Sequence, residues 1–93
     1  MWHIVEHRRV QQKMASAPAE VVKRYEKWKD VAHSFGPQGV QAIKGNHDEA
    51  LRGKWTGYRS SRLGSKWRII YQVTANVMLI RIVEVNAHDY RKH

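Results

Sequence analysis

The sequence contains no cysteine, and this absence removes several functional classes at once. A chain without cysteine forms no disulfide, holds no zinc through thiolates and has no thiol nucleophile. Long apolar runs are missing too: nothing approaches the roughly 20 apolar residues that span a bilayer, and residues 1–7 lack the apolar core of a secretory signal. We therefore predict a cytoplasmic protein without membrane association.

Acidic residues are missing from a long stretch of the chain. No Asp or Glu occurs between residues 50 and 83. The chain as a whole has a formal net charge of +9 and a sequence pI near 10.3. Such a concentration of positive charge attracts anions. Because the basic residues are interleaved with aromatic residues, the pattern favours nucleic acid over a membrane surface as the partner. The basic residues of the acid-free stretch are Arg52, Lys54, Arg59, Arg62, Lys66, Arg68 and Arg81.

The first half of the chain predicts a strand followed by two helices. The 93 residues of the whole chain suffice for one domain, residues 1–93, with a small core. Residues 2–5 form an apolar run typical of a strand, and residues 7–15 have the spacing of a short amphipathic helix. A second helix is predicted from Pro18 until Gly36-Pro37 stops it, and residues 37–49 predict a loop that can include a helical turn around residues 40–43.

The second half predicts a β-meander. Strands are expected at residues 58–63, 67–74 and 77–86, joined by short links at residues 64–66 and 75–76. Strands joined so tightly are antiparallel neighbours. The fold class is therefore α+β: an N-terminal strand, a two-helix hairpin and an antiparallel meander, with the helices on one sheet face and the other face free for a ligand.

Strand alternation divides the basic residues between the two faces. In residues 67–73 the residues Trp67, Ile69, Tyr71 and Val73 suit the core, which directs Arg68 to the open face. Its alternative interpretation is a solvated surface arginine. Arg59 and Arg62 are three residues apart, so they cannot share a face in a regular strand. Arg59 is the stronger candidate for a phosphate contact and Arg62 the second.

His88 follows the last predicted strand and is the candidate for proton transfer. Histidine titrates near neutral pH, and the loop after a strand commonly presents reactive groups. Tyr90 could stack on a base or donate a hydrogen bond to a phosphate, or simply pack on the sheet edge. Metal binding is poorly supported, because the neighbouring residues 47–49 do not converge on one ion, and no nucleotide-binding glycine motif occurs. We predict neither metal nor cofactor.

Residues 53–73, which read G-K-W-T-G-Y-R-S-S-R-L-G-S-K-W-R-I-I-Y-Q-V, resemble the RelE/ParE superfamily of bacterial type II toxins. The terminal H-D-Y strengthens the likeness to the RelE and YafQ-like ribonuclease branches. The resemblance implies a microbial RNase-like fold, cleavage of messenger RNA in the ribosomal A site and neutralisation by a cognate antitoxin.

The resemblance also implies roles for individual residues. The arginines of the family motif fall on Arg68 and Arg59, its C-terminal histidine on His88, and the following aromatic on Tyr90. The chain departs from the YafQ-like branch at two positions. Arg62 stands where that branch has a second histidine, and Lys66 stands where it has an acid.

The expected reaction is metal-free attack of a ribose 2′-hydroxyl on the adjacent phosphorus. His88 would act as general acid or base, while Arg59, Arg68 and Arg62 would stabilise the phosphorane. Two alternatives remain open: a ParE-like inhibitor of DNA gyrase without catalytic activity, and a non-catalytic RNA-binding or ribosome-binding domain. The residues expected to position the RNA backbone are Lys54, Lys66 and Arg52.

Overall fold

The computed structural model describes residues 1–87, so His88 and Tyr90 lie outside the described residues. Short 3₁₀ turns at Lys44–Asn46, Gly53–Trp55 and Ala75–Val77 connect some of the helices and strands. The order of the helices and strands along the chain confirms the predicted α+β class. The elements are α1 (Arg8–Ala15), α2 (Ala19–Ala42), β1 (His3–Glu6), β2 (Glu49–Ala50), β3 (Arg59–Leu63), β4 (Trp67–Thr74) and β5 (Leu79–Asn86).

The five strands form one mixed sheet in the order β1-β5-β4-β3-β2. β1 is parallel to β5, whereas β3, β4 and β5 form the predicted antiparallel meander. One irregularity interrupts the β4–β5 ladder between Ile70 and Tyr71, where Val83 is the additional residue on β5. The sheet is thus regular through the part that carries most of the basic residues.

The helices begin where the sequence predicts. The His7 side chain caps α1 by accepting a hydrogen bond from the Arg9 amide (3.1 Å), and Pro18 precedes the first turn of α2. The helical path is broken at Gly36, as predicted, with φ at +71°, and the Trp2 indole packs against this glycine. α2 nevertheless resumes after the break and continues to Ala42.

Three predictions about the connections were wrong. The expected loop at residues 37–49 contains the end of α2, a 3₁₀ turn and the start of the unpredicted strand β2. The link between β4 and β5 is longer than Ala75-Asn76, because a 3₁₀ turn is followed by Met78 in the left-handed conformation. β5 consequently begins at Leu79, two residues after the predicted start.

The main core lies between the helices and one side of the sheet, which we call the helix face. Tyr25 and Trp28 of α2 are buried there against Ile69 and Tyr71 of β4. The opposite side, called the open face, was predicted to be free, and this was partly wrong. A second apolar cluster covers part of it, formed by Leu51, Trp55, Tyr58, Ile70 and Val83.

Candidate functional site

β3 sends its two arginines to opposite faces, as its alternation predicts. Ser61 accepts a hydrogen bond from the Trp28 indole nitrogen (2.8 Å), and Leu63 joins the main core, so these residues face the helices. Arg59 shares their side because it is two residues before Ser61. Arg62 therefore lies on the open face, with no bulge in the β3–β4 ladder to redirect it.

Arg59 has a partner within the protein. Its Nε donates to Asp48 Oδ1 at 2.6 Å, and the Asp48 side chain is 0% exposed. The Tyr71 hydroxyl donates to the other carboxylate oxygen at 2.6 Å. Burial raises the pKa of Asp48 above its usual value, although hydrogen bonds from Tyr71 and Arg59 act in the opposite direction. Arg59 thus neutralises a buried carboxylate on the helix face of the sheet.

Arg62 and Arg68 lie directly opposite each other on β3 and β4, and Arg68 is opposite Asn86 on β5. We call these three residues the arginine row. Arg68 lies on the open face, but only 6% of its surface is exposed, so water does not solvate it. Within residues 1–87, the buried Nε of Arg62 has no hydrogen-bond partner. Two like charges directly opposite each other are unfavourable in a sheet unless an anion neutralises them.

The carboxylate of Glu84 belongs to the row of side chains across the strands that is next to the arginine row. Glu84 is opposite Ile70, and its carboxylate accepts a hydrogen bond from the Asn86 side chain at 2.9 Å. The Nε of Arg9 lies 2.8 Å from Glu84 Oε1 and 2.7 Å from the Val83 carbonyl oxygen. Sequence reasoning missed Arg9 and Glu84, because their contact joins α1 to the far end of the chain.

The three remaining basic candidates lie in exposed connections around the arginine row. Arg52 and Lys54 belong to the segment of residues 51–58 that folds over the open face, and Lys66 lies in the turn between β3 and β4. Asn86, two residues before His88 in sequence, is opposite Arg68. The structure thus brings Arg62 and Arg68 together, separates Arg59 from them, and describes neither His88 nor Tyr90.

Residues 1–87 contain neither a cluster of metal-binding side chains nor a membrane-spanning helix. No group of three His, Asp or Glu side chains in this part of the chain could hold a metal ion. None of the helices described there has the length and apolarity needed to cross a membrane.

Solved structures with the same architecture include a toxin and toxin-antitoxin complexes. RelE in its complex with RelB from Pyrococcus horikoshii OT3 aligns with a TM-score of 0.75 and 21% identity, over 92% of this chain and 93% of that one. The chain has the fold of RelE. The heterotetrameric YoeB-YefM toxin-antitoxin from Staphylococcus aureus gives a TM-score of 0.69 and 22% identity, with 96% and 99% covered.

The E. coli DinJ-YafQ complex also contains the RelE-like fold, with a TM-score of 0.73, 15% identity and 95% and 94% of the chains covered. No protein-family model and no curated protein sequence matches the chain. The likeness at these low identities concerns the fold, and it confirms the RelE fold expected from the sequence.

Proposed function

We propose that this RelE-like chain is the toxin of a type II toxin–antitoxin system and cleaves messenger RNA on the ribosome. The fold supports the proposal, because solved structures that share it include the toxin of a toxin-antitoxin complex. The basic composition supports a polyanionic substrate. The cytoplasm, where ribosomes translate, is the expected location, and a cognate antitoxin is the expected protein partner.

The observation that carries the proposal is the opposition of Arg62 and Arg68 across two neighbouring strands. Their guanidinium groups repel each other, and burial of Arg68 reduces the screening that water would provide. A phosphate between or beside them would convert this repulsion into two attractive, charge-assisted contacts. Planar guanidinium groups are well suited to phosphate oxygens.

The reaction that fits these groups is transesterification within the RNA. The 2′-hydroxyl oxygen attacks the adjacent phosphorus, the bond from phosphorus to the 5′-oxygen breaks, and a 2′,3′-cyclic phosphate forms. A base accepts the 2′-hydroxyl proton and an acid protonates the 5′-oxygen. Arg62 and Arg68 would stabilise the negative charge that grows on the phosphorane. DNA lacks the internal nucleophile, so RNA is the substrate.

His88 remains our candidate for one of the two proton transfers. It follows Asn86 by two residues in sequence, and Asn86 is paired with Arg68 in the sheet. Tyr90 remains a candidate for stacking on a base or for a hydrogen bond to phosphate. Arg52, Lys54 and Lys66 would contact the RNA backbone.

The role predicted for Arg59 is revised in this proposal. Its ion pair with buried Asp48 gives it a structural function on the helix face. Arg62, the second candidate by sequence, replaces it as the arginine that contacts the scissile phosphate together with Arg68.

The decisive experiment is cleavage of a defined mRNA on translating ribosomes, with mapped 5′ ends. We expect wild-type protein to cut within the A-site codon, and Arg62→Met, Arg68→Met and His88→Ala to lose at least about 100-fold in rate. Arg24→Met is the matched control, because this exposed arginine of α2 lies on the helix side and forms an exposed ion pair with Glu20 at 3.5 Å.

Circular dichroism should confirm that each variant is folded. Uncut mRNA with folded wild-type protein would overturn the proposal, as would full activity of folded Arg68→Met. DNA breaks after induction, without RNA fragments, would instead support the gyrase-inhibitor alternative. Salt-sensitive ribosome binding without cleavage would support the non-catalytic alternative.

A further inference from the structure

An aromatic pair lies on the open face, in the segment between β2 and β3. The rings of Trp55 and Tyr58 are 5.4 Å apart at their centroids and nearly perpendicular, with an interplanar angle of 86°. The backbone of this segment is closed by hydrogen bonds from the Leu51 amide to the Tyr58 carbonyl (2.9 Å) and from the Tyr58 amide to the Trp55 carbonyl (3.0 Å). The two rings are therefore held in a defined arrangement.

The pair is anchored on one side and accessible on the other. Trp55 and Tyr58 pack against Leu51, Ile70 and Val83, which are buried, whereas the two aromatic residues themselves stay partly exposed. Smaller aliphatic residues would suffice to cover this cluster. Two large rings with exposed surface offer contact area to a flat ligand at little conformational cost.

The aromatic pair lies next to the arginine row. Ile70, which the rings cover, follows Arg68 by two residues on the same face of β4, a separation of about 7 Å along the strand. Ser60 is opposite Ile70, just as Arg62 is opposite Arg68. The aromatic cluster and the cationic row are thus consecutive rows of the same sheet face.

This juxtaposition of aromatic rings and cations is the arrangement with which proteins bind single-stranded nucleic acid: the cations track the backbone and the rings stack on bases. We propose that Trp55 and Tyr58 form a stacking site for one base of the RNA, adjacent to the phosphate bound by Arg62 and Arg68. The inference rests on the proposed function for that phosphate. Stacking is tolerant of base identity, so the site would add affinity more than sequence preference.

The test uses ribosomes programmed with an mRNA whose A-site codon contains 2-aminopurine and 2′-O-methyl riboses. Stacking quenches 2-aminopurine fluorescence, and methylation blocks the internal nucleophile. Trp55→Leu and Tyr58→Leu retain apolar packing but remove a ring, whereas Tyr58→Phe retains it. The control is Phe35→Leu, which removes an aromatic ring that is 71% exposed on α2.

We expect quenching by wild type, Tyr58→Phe and Phe35→Leu, and on the order of 10-fold weaker binding with reduced quenching for Trp55→Leu and Tyr58→Leu. With unmodified mRNA, the two leucine variants should show a raised KM and a nearly unchanged kcat, because stacking holds substrate and transition state alike. Circular dichroism establishes that each variant is folded.

The outcomes separate this inference from the proposed function. If wild type cleaves unmodified mRNA and both folded leucine variants bind and quench like wild type, the stacking site is refuted and the ribonuclease proposal stands. If wild type neither cleaves mRNA nor quenches the probe, both are refuted. If wild type quenches the probe but does not cleave, and the leucine variants lose quenching, the stacking site stands without the ribonuclease activity.

Discussion

Replacing Arg59 by methionine should destabilise the fold through the buried carboxylate of Asp48. Methionine keeps most of the side-chain length but leaves Asp48, whose side chain is 0% exposed, without its cationic partner. Removing one partner of a fully buried pair costs about 3–5 kcal/mol. The Arg59 side chain is 30% exposed, so water offsets part of this cost, and we expect a loss of about 2–4 kcal/mol at neutral pH.

The loss should depend on pH in a defined direction. Burial already raises the pKa of Asp48, and removing Arg59 removes a hydrogen bond and a charge that lower it. The pKa of Asp48 in the folded variant is then further above its unfolded value. A group of this kind favours folding below its unfolded pKa and loses that contribution as pH rises through its folded pKa. The variant should therefore be closest to wild type near pH 4 and furthest from it near pH 8.

Urea unfolding followed by circular dichroism at several pH values would measure this effect. Arg62→Met is the matched control, an arginine of the same strand on the opposite face, whose buried Nε has no partner within residues 1–87. Its removal relieves repulsion from Arg68, so stability should stay within about 0.5 kcal/mol of wild type or increase. A pH-independent loss in Arg59→Met, or an equal loss in Arg62→Met, would refute the assignment of faces and partners.

Two further perturbations test other parts of the fold. Gly36→Ala should cost at least about 2 kcal/mol in a thermal melt, because φ is +71° and a Cβ would overlap the indole ring packed there, whereas Gly45→Ala, with open space around it, should be nearly neutral. Burial raises the pKa of Glu6, but hydrogen bonds from Tyr25 and Lys29 outweigh it and lower the pKa. Its stabilising contribution is present above the unfolded pKa and lost on acidification, so Glu6→Gln should cost about 1–3 kcal/mol at pH 7 and approach wild type near pH 3. A constant difference across this range would contradict that account.

The parts of the fold that the sequence predicted well are those with a strong local pattern. β4 has its predicted bounds because Trp67, Ile69, Tyr71 and Val73 alternate with residues of the other face. The start of α2 is marked by Pro18, and its break by Gly36. In each case the residues that decide the structure are neighbours in the chain or one turn apart.

The missed features depend on partners that are distant in sequence. β2 has two residues, too few for any periodicity, and forms because Glu49 and Ala50 pair with β3. The local sequence around Asp48 suggests at most a metal ligand, yet the residue binds Arg59, eleven residues later. A useful signal was present: Asp48 and Glu49 are the last acids before a long basic stretch, so a carboxylate there was the nearest counter-charge available.

The acid-free stretch can now be related to the two faces of the sheet. Asp48, just before the stretch, neutralises Arg59 on the helix face, and Glu84, just after it, contacts Arg9 on the other side of the sheet. Asp48 and Glu84 thus each contact an arginine other than Arg62. The buried Nε of Arg62 lacks a hydrogen-bond partner within residues 1–87, and the proposed RNA phosphate would supply one.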